Sequence, residues 1–221
     1  MYENDQSEPI DYTFKYIIIG DASVGKSNII LRFIKGQFKD NYNVTIGLEI
    51  GFKNIKKGDK NYRIQLWDTA GQEQFRSISR GYYKNSVCCF VVYDITKRDS
   101  FNKVLSWIDE CKLYGSKQIT IILLGNKKDL ESTRQITYEE GKNLAESNGM
   151  EFFETSAKTG ENIENAFEKS IDIIVNNINN NIYNLEDDNC GIRVGLQLIG
   201  KKNIRPRKDT VNKKPKKKCC K

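Results

Sequence analysis

Histidine is absent from all 221 residues. That absence excludes Ser-His-Asp and Cys-His nucleophilic centres, HExxH zinc sites and C₂H₂ fingers, because each needs an imidazole. Proline occurs only at positions 9, 206 and 215, so nothing between Ile10 and Arg205 forces a break in regular structure. Long apolar runs are missing too. The longest, Val87 to Tyr93, spans seven residues, far short of the roughly 20 that a membrane-spanning helix requires. The first dozen residues are polar and acidic, unlike a secretory leader. Six cysteines stand at 88, 89, 111, 190, 219 and 220. Two adjacent pairs and two singles lack the spacing of a disulfide framework, which points to a reducing, cytosolic setting. In that setting the sequon Asn43-Val44-Thr45 has no meaning as a glycosylation signal.

What is present starts with charge. The chain carries a net +7, but residues 201–221 hold eleven lysines and arginines against the single Asp209. The tail is therefore +10 and the remainder −3. Basicity belongs to a tail and not to a folded surface. Such a run suits nucleic acid, a receptor or an anionic membrane, and the residues that follow it must decide.

Apolar segments alternate with segments of helical period. Phe14–Ile19, Leu48–Ile55, Tyr62–Trp67, Val87–Tyr93, Ile119–Leu124 and Phe152–Phe153 read as six short strands. Lys57 to Asn61 has hairpin-turn composition. Gly25–Lys35, Ser100–Tyr114, Tyr138–Asn148 and Glu161–Val175 read as helices. Strands alternating with helices of 10–15 residues imply an α/β fold, a mostly parallel six-stranded sheet with helices on both faces. The domain is expected over residues 13–178, after a flexible extension over 1–12. Residues 179–221 are expected as a tail, flexible from about 183, because they hold too little apolar residue to offset the entropy of ordering.

Gly20-Asp21-Ala22-Ser23-Val24-Gly25-Lys26-Ser27 fits GxxxxGK[ST] and lies between the first strand and the first helix, as that motif demands. Its backbone N–H groups, Ser23, Val24, Gly25 and the first helical residues Lys26 to Asn28 included, would curl around phosphate oxygens at a helix N-terminus. Lys26 would bridge the β and γ phosphates, and the Ser27 hydroxyl would coordinate Mg²⁺. After the third strand comes Trp67-Asp68-Thr69-Ala70-Gly71-Gln72-Glu73. Asp68 at a strand end can hold the same Mg²⁺. Gly71, without a Cβ, lets its N–H approach a γ-phosphate. The Gln72 amide can orient an attacking water. After the fifth strand, Asn126-Lys127-Lys128-Asp129 offers a carboxylate that accepts from N1–H and the N2 amino group of guanine, a donor pair adenine lacks. Asn126 can tie neighbouring loops, and the Lys127 stem can lie over the base. Ser156-Ala157-Lys158 can supply an N–H from Ala157 to guanine O6.

In order and spacing these motifs resemble the Ras superfamily of small GTPases, over about Phe14 to Val175. Within it, Ile46–Glu49, Trp67–Glu73, Phe75–Ile78, Gly81–Lys84 and Val92–Thr96 look like Rab segments. The resemblance implies that Thr45 is the switch threonine, binding Mg²⁺ and the γ-phosphate in the GTP state only, and that Phe38 packs against guanine. It implies an effector surface of Ile46, Ile50, Trp67 and Tyr82. Ile50 stands where an aromatic ring is usual, which alters effector choice, and Ala22-Ser23 stands where Ser-Gly is common. Asn180–Gly195 resembles the linker of Golgi and early-endosomal members. Lys218-Cys219-Cys220-Lys221 resembles a double-cysteine terminus that takes two isoprenyl chains, with the lysine run attracted to an anionic leaflet.

The resulting expectation is a GTP/GDP switch, a monomer on the cytoplasmic face of Golgi or endosomal membranes with a cytosolic pool. It hydrolyses GTP slowly unless an activating protein assists, and it controls vesicle traffic. Its partners by resemblance are an exchange factor, an activating protein, a GDP-dissociation inhibitor and effectors, with no nucleic acid. Three alternatives stay open: an adaptor whose hydrolysis is too slow to matter, a kinase built on the same phosphate loop, and a nucleic-acid binder driven by the tail. Asp129 and the Asp68–Gln72 loop argue against the kinase.

Overall fold

The protein is described by a computed structural model at residues 8–40, 48–69 and 81–195. Strand β1, Tyr12–Ile19, lies at the centre. Its neighbours are β3, Lys60–Thr69, and β4, Cys88–Asp94, both parallel to it. Strand β2, Leu48–Lys57, pairs antiparallel with β3 and forms one edge. Beyond β4 lie β5, Thr120–Asn126, and β6, Glu151–Glu154, giving the order β2-β3-β1-β4-β5-β6. β4 is buried at every position, as an apolar run in the middle of a parallel sheet covered on both faces should be.

Alternation along β1 divides the core. Phe14, Tyr16 and Ile18 join α1, Lys26–Lys35, and α5, Ile163–Asn179, on one face. Ile17 and Ile19 join α3, Val104–Tyr114, and the neighbourhood of α4, Tyr138–Ser147, on the other. The Tyr16 hydroxyl, fully buried, meets Ser170 Oγ of α5 at 2.9 Å, so a polar group enters the first core with its partner supplied. Helix α4 starts with a capping box between Thr137 and Glu140. Among the described residues no helix is long and apolar enough to cross a membrane. Cys88, Cys89, Cys111 and Cys190 are free and buried, and burial pushes the Cys88 and Cys89 thiols well up, away from the reactive thiolate.

Three local expectations change. The single helix expected over Ser100–Tyr114 is two, α2, Arg98–Asn102, and α3. Lys103 between them keeps near-helical angles (φ −88°, ψ −5°), so the apolar period runs through while the hydrogen-bond ladder breaks. The five-residue turn shrinks to Gly58-Asp59 because Lys57 pairs with Lys60, and Gly58 takes φ +59° there. Order also begins before residue 13, since the Asp11 N–H donates to Asn61 O at 2.8 Å.

The largest correction concerns the tail. Residues 183–195, expected to be flexible, pack back onto the sheet, and Ile192–Val194 forms a seventh strand, β7, antiparallel to β1. The cause lies in strand lengths. β4 first pairs with β1 at Tyr16, which leaves Tyr12 to Phe14 without a ladder on that side. β7 fills the gap, pairing Phe14 with Ile192 and Tyr12 with Val194. The Lys15 N–H donates to Gly191 O at 3.0 Å, and the Gly195 N–H to Asp11 O at 2.7 Å. Gly191, at φ +80°, approaches so closely that a Cβ would lie 2.5 Å from Val87 N. Tyr183, Cys190 and Ile192 are all buried by this return. Residues 196–221, with the lysine run and Cys219 and Cys220, lie outside the described residues. Truncation after Asn181 removes three buried apolar side chains, each worth about 1.5–3 kcal/mol, and re-exposes part of β1. Urea unfolding should show stability falling by roughly 4 kcal/mol or more.

Candidate functional site

The carboxyl ends of β1, β3, β5 and β6 face the same end of the sheet, where α/β folds assemble their sites. The loop after β1 is held by two close approaches. Gly20 has φ +137°, and a Cβ on it would sit 2.2 Å from Val92 O. Gly25 has φ +100° and presses against Asn126 Nδ2. Ser23 lies between them with φ +63°, a left-handed conformation that costs a non-glycine residue about 1 kcal/mol or more. This is the physical content of its departure from the usual glycine.

Lys26 is 6% exposed. Its Nζ donates to the loop carbonyls of Gly20 (2.9 Å) and Asp21 (2.8 Å). Burial pushes its pKa down to about 8, against the opposing pull of the Asp68 and Asp21 carboxylates. A buried ammonium that donates to loop carbonyls, with burial outweighing the pull of its neighbouring carboxylates, is a site for an anion. Between pH 8 and 10.5 the unfolded chain binds the proton that folded Lys26 releases, so stability of the nucleotide-free protein rises with pH across that window. A bound phosphate keeps Lys26 charged. Nucleotide binding should therefore take up protons above about pH 8 and weaken as pH rises. Calorimetry in two buffers of different ionisation enthalpy measures that uptake, and Lys26→Ala should abolish it.

Ser27 Oγ donates to Asp68 Oδ2 in a short hydroxyl–carboxylate contact between α1 and the end of β3. Asp68 is 2% exposed. One hydroxyl and one carboxylate are hard oxygen donors of the kind Mg²⁺ uses when phosphates complete its octahedron, so the donor set fits. Asn28 is not turned toward this space. It brackets Lys39, donating from Nδ2 to Lys39 O (3.0 Å) and accepting from Lys39 N (3.1 Å). Phe38 packs half-buried against the first core. Thr45, Ile46, Gly71 and Gln72 lie outside the described residues.

The loops after β5 and β6, expected to read a base, meet at Asn126, which is 1% exposed. Its Nδ2 donates to Val24 O at 2.8 Å, and its Oδ1 accepts from Ala157 N at 3.2 Å and Thr155 Oγ1 at 3.3 Å. One side chain thus ties the phosphate loop to the loops after β5 and β6. The Ala157 N–H, expected to face guanine O6, has Asn126 as its partner here. Asp129 is exposed, and its Oδ1 accepts from Ser156 Oγ at 2.5 Å, which fixes one oxygen and leaves the carboxylate aimed outward. Lys127 takes φ +68°, and its Nζ pairs with the fully buried Asp94 at 2.7 Å. Lys158 contributes its carbonyl, which Arg32 of α1 holds together with Ala157 O (2.8 Å for the latter).

Sequence reasoning missed three supports. Arg32 clamps the Ala157–Lys158 loop from α1. Asp94 carries the carboxylate that seats Lys127. Asp21 binds α3 through Trp107 Nε1 (3.0 Å) and Lys103 Nζ (2.9 Å), anchoring the phosphate loop to the second core. Only Asp94 had a signal, a carboxylate ending an otherwise apolar strand.

Of the expected effector residues, Ile50, Trp67 and Tyr82 lie close together, while Ile46 is outside the described residues. Ile50 is 44% exposed and pairs across strands with Trp67. Trp67 and Tyr82 have ring centroids 5.9 Å apart. Lys15 lies 3.9 Å over the Trp67 ring and donates to Tyr82 O at 2.9 Å, bracing both.

Comparison with known proteins agrees with this geometry. A family model described as the Ras family matches residues 15–176. Ras-related protein Rab-2B of Dictyostelium discoideum is 48% identical over 180 residues, covering 81% of this chain and 89% of that protein. Ras-related protein Rab-4A of Homo sapiens is 43% identical over 195 residues, covering 88% of this chain and 89% of that protein.

Proposed function

Because the chain belongs to the Ras family, as a small GTPase of the Rab type that binds and hydrolyses GTP, we propose that it acts as a membrane-anchored switch recruiting effectors for vesicle traffic in its GTP state. The observation that carries this reading is the knot at Asn126. It holds the phosphate loop and both base-reading loops in one rigid unit, so triphosphate grip and guanine choice are read together. Lys26 and the N–H groups around Gly25 bind the β and γ phosphates. Asp129 selects guanine, and Phe38 and the Lys127 stem flank the base. Ser27 and Asp68, with Thr45 in the GTP state, would hold Mg²⁺, which supplies positive charge against the phosphates.

Gln72 orients water for in-line attack while Lys26 offsets charge developing on the phosphoryl oxygens. The phosphate loop contains no arginine, so the pure protein hydrolyses slowly, and an activating protein raises the rate by roughly 10³–10⁵-fold. Contacts of Thr45 and Gly71 with the γ-phosphate exist only before hydrolysis. They bias the segments that carry Ile46, Ile50, Trp67 and Tyr82 toward an effector-binding arrangement. Lipid on Cys219 and Cys220, helped by the lysine run, places the switch on the cytoplasmic face of Golgi or endosomal membranes.

The test loads purified protein with GTP or ATP in Mg²⁺ and follows affinity and single-turnover phosphate release. GTP should be held far more tightly, with turnover slower than about 10⁻² per second. Equal affinity for ATP, or unaided turnover at many per second, overturns the reading.

A further inference from the structure

Past the knot at Asn126 the chain enters a 3₁₀ turn, Lys128–Thr133, that carries Asp129. Arg134 follows it, with a side chain only 16% exposed. Nε and Nη2 of its guanidinium donate to the two Glu131 oxygens at 2.7 and 2.6 Å. Nη1 and Nη2 donate to the two Glu154 oxygens at 2.5 and 2.8 Å, and Nη1 also donates to Ile136 O at 2.8 Å. Every N–H of the fork therefore has an acceptor. The two carboxylates differ in setting. Glu154 closes β6 at 4% exposure, while the Glu131 side chain is 64% exposed. Glu131 stands two residues after Asp129, and Glu154 two residues before Ser156. Arg134 thus closes a ring whose opposite side is the hydrogen bond from Ser156 to Asp129.

We propose that Arg134 is a positioning residue for base choice, fastening the Asp129 turn to the end of β6 so that the carboxylate meets both guanine donors, the ring N1–H and the 2-amino group. The inference rests on the reading of Asp129 as the partner of guanine and deepens it by naming the group that aligns the carboxylate.

A two-point contact is sensitive to rotation. A carboxylate that turns about its first hydrogen bond lengthens and bends the second, which weakens steeply with angle. Without Arg134, the turn meets the loop after β6 at two neighbouring points, the Lys128 N–H on Thr155 O at 3.0 Å and Asp129 on Ser156. Two adjacent points form a hinge. Arg134 adds a third, displaced from them, and its planar fork fixes the orientation of both carboxylates as well as their separation. The Lys128–Glu161 pair also crosses between the loops, but both side chains are partly exposed and the lysine stem is flexible. A purely structural role for Arg134 would be complete with Glu154 alone, since that is the buried charge in need of a partner. The two accounts part at Glu131. Its exposed pairing adds little to stability, yet it is the link that reaches Asp129.

The test measures binding of GDP, ADP and inosine diphosphate, whose base lacks the 2-amino group, to full-length protein in Mg²⁺, with urea unfolding alongside. Wild-type protein should favour GDP over inosine diphosphate by roughly 10–100-fold, the loss of one charge-assisted hydrogen bond. Glu131→Ala should cut that ratio at least threefold while leaving the urea midpoint and ADP binding unchanged. Arg134→Met should cut it further and also lower stability, because Glu154 loses its partner. Arg134→Lys should fail to restore the ratio, since an ammonium cannot fork onto both carboxylates. Should Arg134→Met not fold, Glu131→Ala decides. A Glu131→Ala ratio equal to that of the parent, GDP and inosine diphosphate weakened by one common factor, or a full ratio in Arg134→Lys overturns the proposal. Wild-type protein that holds GDP no better than ADP or inosine diphosphate defeats the guanine reading itself. A wild-type preference that survives in both Glu131→Ala and Arg134→Met defeats this inference alone.

Discussion

An Asp129→Ala variant will bind GTP and GDP some 10²–10⁴-fold more weakly than the parent and will bind ATP unchanged. The size follows from two hydrogen bonds between a carboxylate and the guanine N1–H and N2 amino group, each worth about 1.5–3 kcal/mol. Ser156 already satisfies one Asp129 oxygen at 2.5 Å, so the carboxylate is positioned before any base arrives and little binding energy goes into ordering it. Asp129 is exposed, and the buried Ser156 hydroxyl that it holds also accepts from the Thr159 N–H at 3.1 Å, so the fold should survive, and the Lys26 loop should grip triphosphate as before. Titration calorimetry with both nucleotides in Mg²⁺ gives the answer as a ratio. A guanine-to-adenine preference that persists in the variant would show that some other group reads the base.

Asn126→Ala will do something different, lowering fold stability and nucleotide affinity together. Removing this side chain leaves Val24 O and the Ala157 N–H without their partner, both in residues at most 3% exposed. Each buried orphan costs about 1–3 kcal/mol, so a loss of roughly 3–5 kcal/mol is expected. Affinity for both the phosphate and the base ends of a nucleotide should fall, because the loops that carry them are no longer fastened. Urea unfolding at fixed nucleotide concentration and the nucleotide dissociation rate measure the two effects. A stability change under about 1 kcal/mol would mean that the three loops hold their positions independently.

The difference between these two residues shows what the sequence makes legible. Asp129, Lys26, Ser27 and Asp68 are the residues proposed to act on a ligand of fixed chemistry, so their type and spacing announce them. Strands β1 to β6 are legible for a similar reason, since short apolar runs between helical periods admit few arrangements. The supports are not legible. Asp21 reaches Trp107 across 86 positions, and Arg32 reaches Ala157 across 125. No local pattern encodes such pairs. The same holds for β7, only three residues long among asparagines and aspartates, whose stability comes from a gap beside β1 and not from its own composition. The strain at Ser23 is equally invisible, because serine is an ordinary residue until the loop forces its φ to +63°.

The return of the chain along β1 also fixes a leash. Because β7 runs antiparallel to β1, the polypeptide leaves the body beside Ile10 and Asp11, at the end of the sheet opposite the phosphate loop. Measured from Gly195, Cys219 lies 24 residues on, which caps the reach at about 85 Å. Were the chain to leave at the end of α5 instead, 40 residues would separate Asn179 from Cys219, and the ceiling would rise to about 140 Å. If Cys219 carries the anchor proposed above, the tether starts at the end of the sheet opposite the phosphate loop, and the nucleotide end is the part of the body furthest from its attachment.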